Sequence, residues 1–134
     1  KNTWRVGIFM KIFFITFGLK YNHEEHLDFQ IDTRILPNPF YVEGLKDKCG
    51  LDQEVYDYVI NSSEGMDFIK RTIEYLEYYF EKISFHKEIR VGICCTGGQH
   101  RSVAVAKCLY DYFSSQYECE LIHQEEKNWR RDDV

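Results

Sequence analysis

Apolar and polar positions along the chain fall into alternating blocks of strand and helix period. Met10 to Phe17 (M-K-I-F-F-I-T-F) is an almost unbroken apolar, β-rich run closed by Gly18, which predicts a first strand covered on both faces. Phe29 to Ile35 predicts a second strand, ended by Pro37 and Pro39. Residues 36–50 carry both prolines and read as a long irregular loop. Asp52 is placed to cap a helix reaching Ile60, and Asn61, Ser62 and Ser63 interrupt it. A second helix runs from Glu64 to Ile83, with apolar residues at 69, 73, 76, 80 and 83 on one stripe. Glu88 to Cys95 predicts a third strand, and Arg101 to Ser115 a helix with Val103, Ala106, Leu109, Tyr110 and Phe113 inward. Tyr117 to His123 predicts a fourth strand. Residues 124–134 show no apolar period and are expected to form an exposed, flexible tail.

Strands separated by helices predict a single α/β domain over residues 1–134. Its sheet would be mostly parallel, with about four or more strands, helices on both faces and an anion site at the carboxyl edge of the strands. No internal repeat or interdomain linker interrupts it.

Composition narrows the setting. With 44% hydrophobic residues, ten Phe and ten Tyr among 134 residues, the chain has the makings of a core rather than of a disordered segment. Five cysteines at positions 49, 94, 95, 108 and 119 are odd in number and irregular in spacing, which suits a reduced, cytoplasmic protein better than a disulfide scaffold. The longest apolar stretch, Ile8 to Leu19, is broken by Lys11 and falls short of the roughly 20 residues needed to cross a bilayer, so no membrane role is expected. A net charge of −5 gives no global attraction to nucleic acid; any such role rests on a cluster among the seventeen Lys and Arg residues.

The chemistry gathers in Val91-Gly92-Ile93-Cys94-Cys95-Thr96-Gly97-Gly98-Gln99-His100-Arg101-Ser102. An apolar strand enters a double glycine and then a basic, hydroxyl-bearing helix start. Such a turn lets backbone amides approach an anion, with the helix N-terminus adding partial positive charge. The ends of the other strands bring Lys20 and Tyr21, Asp32 and Arg34, and His123 to the same edge. Arg101 suits phosphate because its guanidinium is a planar fork, and Asp32 suits an amine or hydroxyl. Structural readings stand beside these: Gly97-Gly98 as a tight turn, Thr96 or Ser102 as a helix cap, Asp32 as a partner for Arg34, Lys20 and the histidines as surface groups. The fragment His23-Glu24-Glu25-His26 lacks the spacing of common zinc motifs, and neither metal nor cofactor is expected. The aromatic band around Tyr75 to Phe80 is interleaved with Glu74, Glu77 and Glu81 and reads as core and interface rather than a base-stacking platform.

Cys95 and Arg101 also satisfy C-x5-R-S, the spacing of cysteine-dependent phosphatases. A thiolate at a helix N-terminus with an arginine across the loop is sound phosphoryl chemistry. That alternative calls for an aspartic acid, and nothing selects among Asp32, Asp47 and Asp52. Cys94 stands where such enzymes usually place a histidine.

Four segments resemble the C-terminal domain of the RapZ/YvcJ family: Thr16 to Tyr21, Asp32 to Pro39 (D-T-R-I-L-P-N-P), Gly50-Leu51-Asp52, and Gly92 to Val103 with C-T-G-G-Q-H-R-S. The likeness runs in order from about residue 12 to 123. It implies a regulatory, RNase-adapter type of domain rather than a catalyst by itself, binding an amino-sugar phosphate such as glucosamine 6-phosphate or a nucleotide-sugar such as UDP-N-acetylglucosamine. It further implies a homo-oligomer, coupling to a small RNA or regulatory protein, and a P-loop nucleotide-binding domain that in the family precedes this one. By motif, Thr96, Gly97, Gly98, His100 and Arg101 would contact phosphate or sugar, with Asp32 as the acidic ligand residue and Lys20 and Arg34 in shared motifs. The family's N-P-H is Asn38-Pro39-Phe40 here, and residues 124–134 carry three basic and four acidic side chains where the family has a basic run. RNA affinity from that tail should therefore be weak. No G-x-x-x-x-G-K-[ST] segment occurs in the chain.

Overall fold

A computed structural model describes residues 10–21, 26–83 and 87–131. Three of the four residues of the His-Glu-Glu-His fragment lie outside these, as do Asp132 and Asp133; His26 itself bonds Asp28 Oδ1 through Nε2 at 3.2 Å. The elements in chain order are β1 (Lys11–Gly18), β2 (Phe29–Asp32), α1 (Gln53–Ile60), α2 (Ser63–Lys82), β3 (Glu88–Cys95), α3 (Arg101–Phe113) and β4 (Glu118–His123). All four strands are parallel, in the order β2-β3-β1-β4.

The register aligns Phe14 with Val91 on one side and Leu121 on the other, and Phe29 with Val91. One sheet face therefore presents Ile12, Phe14, Ile89, Val91 and Ile93, and these join Val55, Val59, Leu76, Phe80, Leu109 and Phe113 from the helices in one core. Phe113 is the hinge of that core, stacked on Phe14 at 6.1 Å and edge-on to Phe80 at 5.1 Å. Both faces of the sheet are covered, but the described helices all join this one core. The steps β2 to β3 and β3 to β4 run in the same direction across the sheet, and right-handed crossovers then place their helices on the same side. The opposite face is met by the connection between β1 and β2. Leu27 lies where a side chain on Gly92 would be, its Cδ1 2.5 Å from the position of a Cβ, so a larger residue in β3 would have to displace the Leu27 side chain.

Element boundaries depart from the sequence expectation where a local hydrogen bond intervenes. β2 stops at Asp32 rather than Ile35 because Thr33 closes onto Cys94 O through both its N–H and its hydroxyl, each at 2.8 Å. Leu36 N–H then turns back to Thr33 O. Asp52 stands at the start of α1, yet its carboxylate accepts the Cys49 N–H at 2.8 Å instead of a helix amide. α2 begins one residue early, capped by Ser62 Oγ on Gly65 N–H at 2.9 Å. α3 ends at Phe113, where the Gln116 and Tyr117 amides both turn onto Phe113 O.

The largest correction is at the C-terminus. The tail expected to be exposed is instead anchored: Glu125 is 1% exposed and Trp129 8%. Glu125 Oε2 accepts Gly18 N–H at 3.1 Å and Trp129 Nε1 donates to Gly98 O at 2.8 Å. These are single polar contacts to distant residues, which leave no period in the sequence.

Candidate functional site

β1 and β3, the two interior strands, end side by side at Gly18 and Cys95. Thr96-Gly97-Gly98 then leads into α3. Gly98 has φ of +73°, and a Cβ there would lie 2.6 Å from Glu125 Cγ and 2.8 Å from Gly18 N. Gly97 is the reverse case: its Cβ position meets only Lys20 Cε, at 3.9 Å. One glycine is required by packing, and the other leaves a floor open to the solvent side.

The amides of this loop divide in two. Gly98 N–H donates to Cys95 Sγ at 3.3 Å, and the thiol in turn donates to Ser102 Oγ at 3.2 Å. The Gly97, Gln99, His100 and Arg101 amides have no acceptor among the described residues. That is the usual state of a helix start facing an anion.

Above the loop lies a cavity of about 280 Å³. Lys20, Tyr21, Cys95, Thr96, Gly97, Gln99, His100 and Arg101 line it from the strand ends. Asn38, Phe40 and Tyr41 close one side, and Asn128 and Arg130 come from the C-terminal strap, residues 124–131. Three cations and no carboxylate line it. Arg101 is 7% exposed; its Nη1 donates to Arg34 O at 2.8 Å and to Leu36 O at 3.4 Å. Its Nε and Nη2 have no acceptor among the described residues. Lys20 Nζ lies 5.5 Å from the Tyr21 ring centre.

His100 is buried, with Nε2 3.0 Å from Lys46 O. Burial, reinforced by the like charges of Arg130 and Arg101, outweighs that carbonyl and pulls its pKa below the ordinary 6.5. The neutral ring donates from Nε2 and keeps Nδ1 as an acceptor. His123 does not line the cavity. Its Nδ1 meets Thr16 Oγ1 at 2.8 Å, its ring lies 5.6 Å from Trp129, and burial lowers its pKa as well.

The structure thus gathers Lys20, Thr96, Gly97, His100 and Arg101 around one space. Gly98 and Ser102 stand behind it, supporting Cys95 and the strap. Asp32 and Arg34 do not line it. They pair with each other, Arg34 Nη2 lying 2.8 Å from Asp32 Oδ2 and Arg34 Nε 3.1 Å from both oxygens. That pairing holds the Asp32 carboxyl below its ordinary range, and Arg34 enters the site only through its carbonyl on Arg101. Tyr41, Gln99, Asn128 and Arg130 were not foreseen as site residues. Trp129, a lone large aromatic in a polar stretch, was the available sign that this end of the chain docks.

The phosphatase alternative finds little here. No aspartate lines the cavity to serve as an acid; of the three candidates, Asp32 is bound to Arg34, Asp52 to the Cys49 amide, and Asp47 lies 4.0 Å from Arg130. The neighbouring Cys94 thiol is pushed up to about 11 by burial. Among the described residues no three His, Cys, Asp or Glu side chains are grouped to hold a metal ion. No described helix is long and apolar enough to cross a membrane.

Comparison with known proteins finds relatives over most of the chain. Curated relatives include a nucleotide-binding protein of Thermosipho melanesiensis, 39% identical over 116 residues. That alignment covers 84% of this chain and 41% of the relative. A nucleotide-binding protein of Lactobacillus acidophilus is 41% identical over 113 residues, covering 83% and 39%. One from Geobacillus kaustophilus is 36% identical over 123 residues, covering 90% and 40%. The chain spans about two fifths of the length of these relatives. Residues 10–127 match the RapZ C-terminal domain, and the chain belongs to that family.

Proposed function

We propose that this domain is a regulatory module that binds an amino-sugar phosphate or a nucleotide-sugar, and that occupancy is read out by a protein or RNA partner rather than by turnover. The observation that carries the reading is the cavity over Gly97, where unpartnered amides and three cations face one space with no carboxylate among its lining residues. A phosphate there meets the Gly97 amide, the first turn of α3 and the free edge of the Arg101 guanidinium, with Lys20 alongside. The sugar ring extends toward Asn38, Tyr41 and Asn128, whose amides and hydroxyl suit a polyol. The relatives are named as nucleotide-binding proteins, which keeps the nucleotide-sugar beside the simpler phosphate.

The strap does not favour RNA as the main partner: Glu125 and Glu126 lie among Lys127, Arg130 and Arg131, and Arg130 faces the cavity. A regulatory protein, or a second copy of the chain in a homo-oligomer, fits better, in the cytoplasm.

Titration calorimetry with glucosamine 6-phosphate and UDP-N-acetylglucosamine tests the reading. Arg101→Ala removes charge-assisted hydrogen bonds worth about 1.5–3 kcal/mol, roughly 10- to 150-fold in affinity. Because Arg101 also holds the Arg34 and Leu36 carbonyls, Arg101→Lys is the companion variant; it keeps the charge and should recover part of the loss. Unaltered affinity in both variants removes the site from consideration.

A further inference from the structure

The match to the family ends at residue 127, yet the cavity is completed by Asn128 and Arg130. We propose that Arg130 is a second anion-recognition residue, which makes this site select a diphosphate group over a single phosphate. The inference rests on the reading of the cavity as a phosphate site.

Arg130 is held by the same loop that supplies the amides. The Gln99 side chain grips both backbone groups of Arg130, Oε1 accepting its N–H at 2.9 Å and Nε2 donating to its carbonyl at 3.0 Å. Gln99 Nε2 also reaches Lys48 O at 2.9 Å, so one amide ties strap, loop and wall together. Trp129 on Gly98 O and Glu125 on Gly18 N–H fix the residues before it. The guanidinium lies 4.8 Å from the centre of the Phe40 ring, which Lys46 Nζ also approaches at 4.8 Å. Its ion pair is loose, with Nε 4.0 Å from Asp47 Oδ1, and most of its N–H groups are left for another acceptor.

The two guanidiniums are fixed by different parts of the chain. Arg101 rises from the start of α3 and is tied to the 34–36 segment, whereas Arg130 descends from the strap against Phe40. Both raise the positive field at buried His100. One phosphate is served by the loop amides, Arg101 and Lys20. The cavity of about 280 Å³ equals roughly nine water volumes at about 30 Å³ each. It has room beyond a single five-atom anion, and Arg130 offers a second fork for a neighbouring phosphoryl group. A diphosphate diester linking a nucleoside to a sugar has this chemistry.

The test is calorimetry with inorganic phosphate and inorganic pyrophosphate on the whole chain, at fixed ionic strength. The wild-type protein should prefer pyrophosphate by tenfold or more. Arg130→Gln should cut that preference below threefold and leave phosphate affinity within twofold. Lys127→Gln, with the same loss of charge on the strap but no place in the cavity lining, should leave the preference intact. Arg101→Ala should weaken both probes. Unchanged Trp129 emission, read in a Trp4→Phe background, reports that the strap stays docked in Arg130→Gln; if it shifts, Arg130→Lys replaces that variant and must still lose at least threefold in preference. Equal weakening of both probes by Arg130→Gln, or no change in either, overturns the inference while leaving the phosphate site standing. Absence of binding by either probe to the wild type overturns the site itself and this inference with it.

Discussion

Replacing each of the two loop glycines by alanine should give opposite phenotypes, and the structure sets both magnitudes. Gly98→Ala places a Cβ on a residue with φ of +73°, 2.8 Å from Gly18 N and 2.9 Å from Phe17 C. Those are backbone atoms of β1 and cannot rotate away, unlike Glu125 Cγ at 2.6 Å. Left-handed backbone costs an L-residue about 1–2 kcal/mol, and overpacking adds about 1–3, for roughly 2–5 kcal/mol of lost stability. Gly97→Ala meets only the flexible end of Lys20 at 3.9 Å and has no positive φ. Its stability should hold or rise by up to about 1 kcal/mol through the unfolded chain. The new methyl nevertheless stands over the amide floor, and glucosamine 6-phosphate affinity should fall tenfold or more. Urea unfolding followed by tryptophan emission, with the slope unchanged, gives the stability difference; calorimetry gives the binding. A Gly98→Ala loss below about 0.5 kcal/mol, or a Gly97→Ala loss above about 1 kcal/mol, would refute the assignment of roles.

His100 has a folded pKa below 6.5, so the unfolded chain binds its proton more readily. Its contribution to stability is complete above pH 6.5 and declines as pH falls from there through the depressed value. His123 shares the direction. His100→Gln, which can still donate to Lys46 O, should flatten the stability profile below pH 6.5; an unchanged slope counts against a neutral buried ring. Asp32→Asn should cost no more than about 1 kcal/mol, since the Asp32–Arg34 pair is about half exposed and screened. It should leave sugar-phosphate affinity within twofold, and a tenfold loss would mean that Asp32 turns from Arg34 to the ligand.

The strands were legible because β-branched and aromatic runs of the right length leave few other options; β3 spans Glu88–Cys95 as its composition predicts. Its glycine loop was legible because two glycines before His-Arg-Ser are more than a turn requires. Strand order was not, because no local pattern records which strand lies beside which. Asp32 was ambiguous in sequence for a physical reason: a carboxylate two residues from an arginine can serve a ligand or its neighbour, and here the neighbour holds both oxygens. Strap docking depends on a carboxylate, an indole N–H and one glutamine amide finding partners as far as 107 residues away. No local pattern encodes such pairings.

The cavity has a backbone floor and suspended walls. Its floor is the Thr96-Gly97 turn that leaves the paired ends of the two interior strands. The walls, by contrast, hang from individual side chains: residue 130 from Gln99, and the 34–36 turn, which leads into the Asn38–Tyr41 wall, from Arg101. Anything that captures the free edge of Arg101 therefore bears on a turn whose outermost residue, Ile35, is 78% exposed. The contents of the chamber and the exposed Ile35 side chain are thus linked through a single guanidinium.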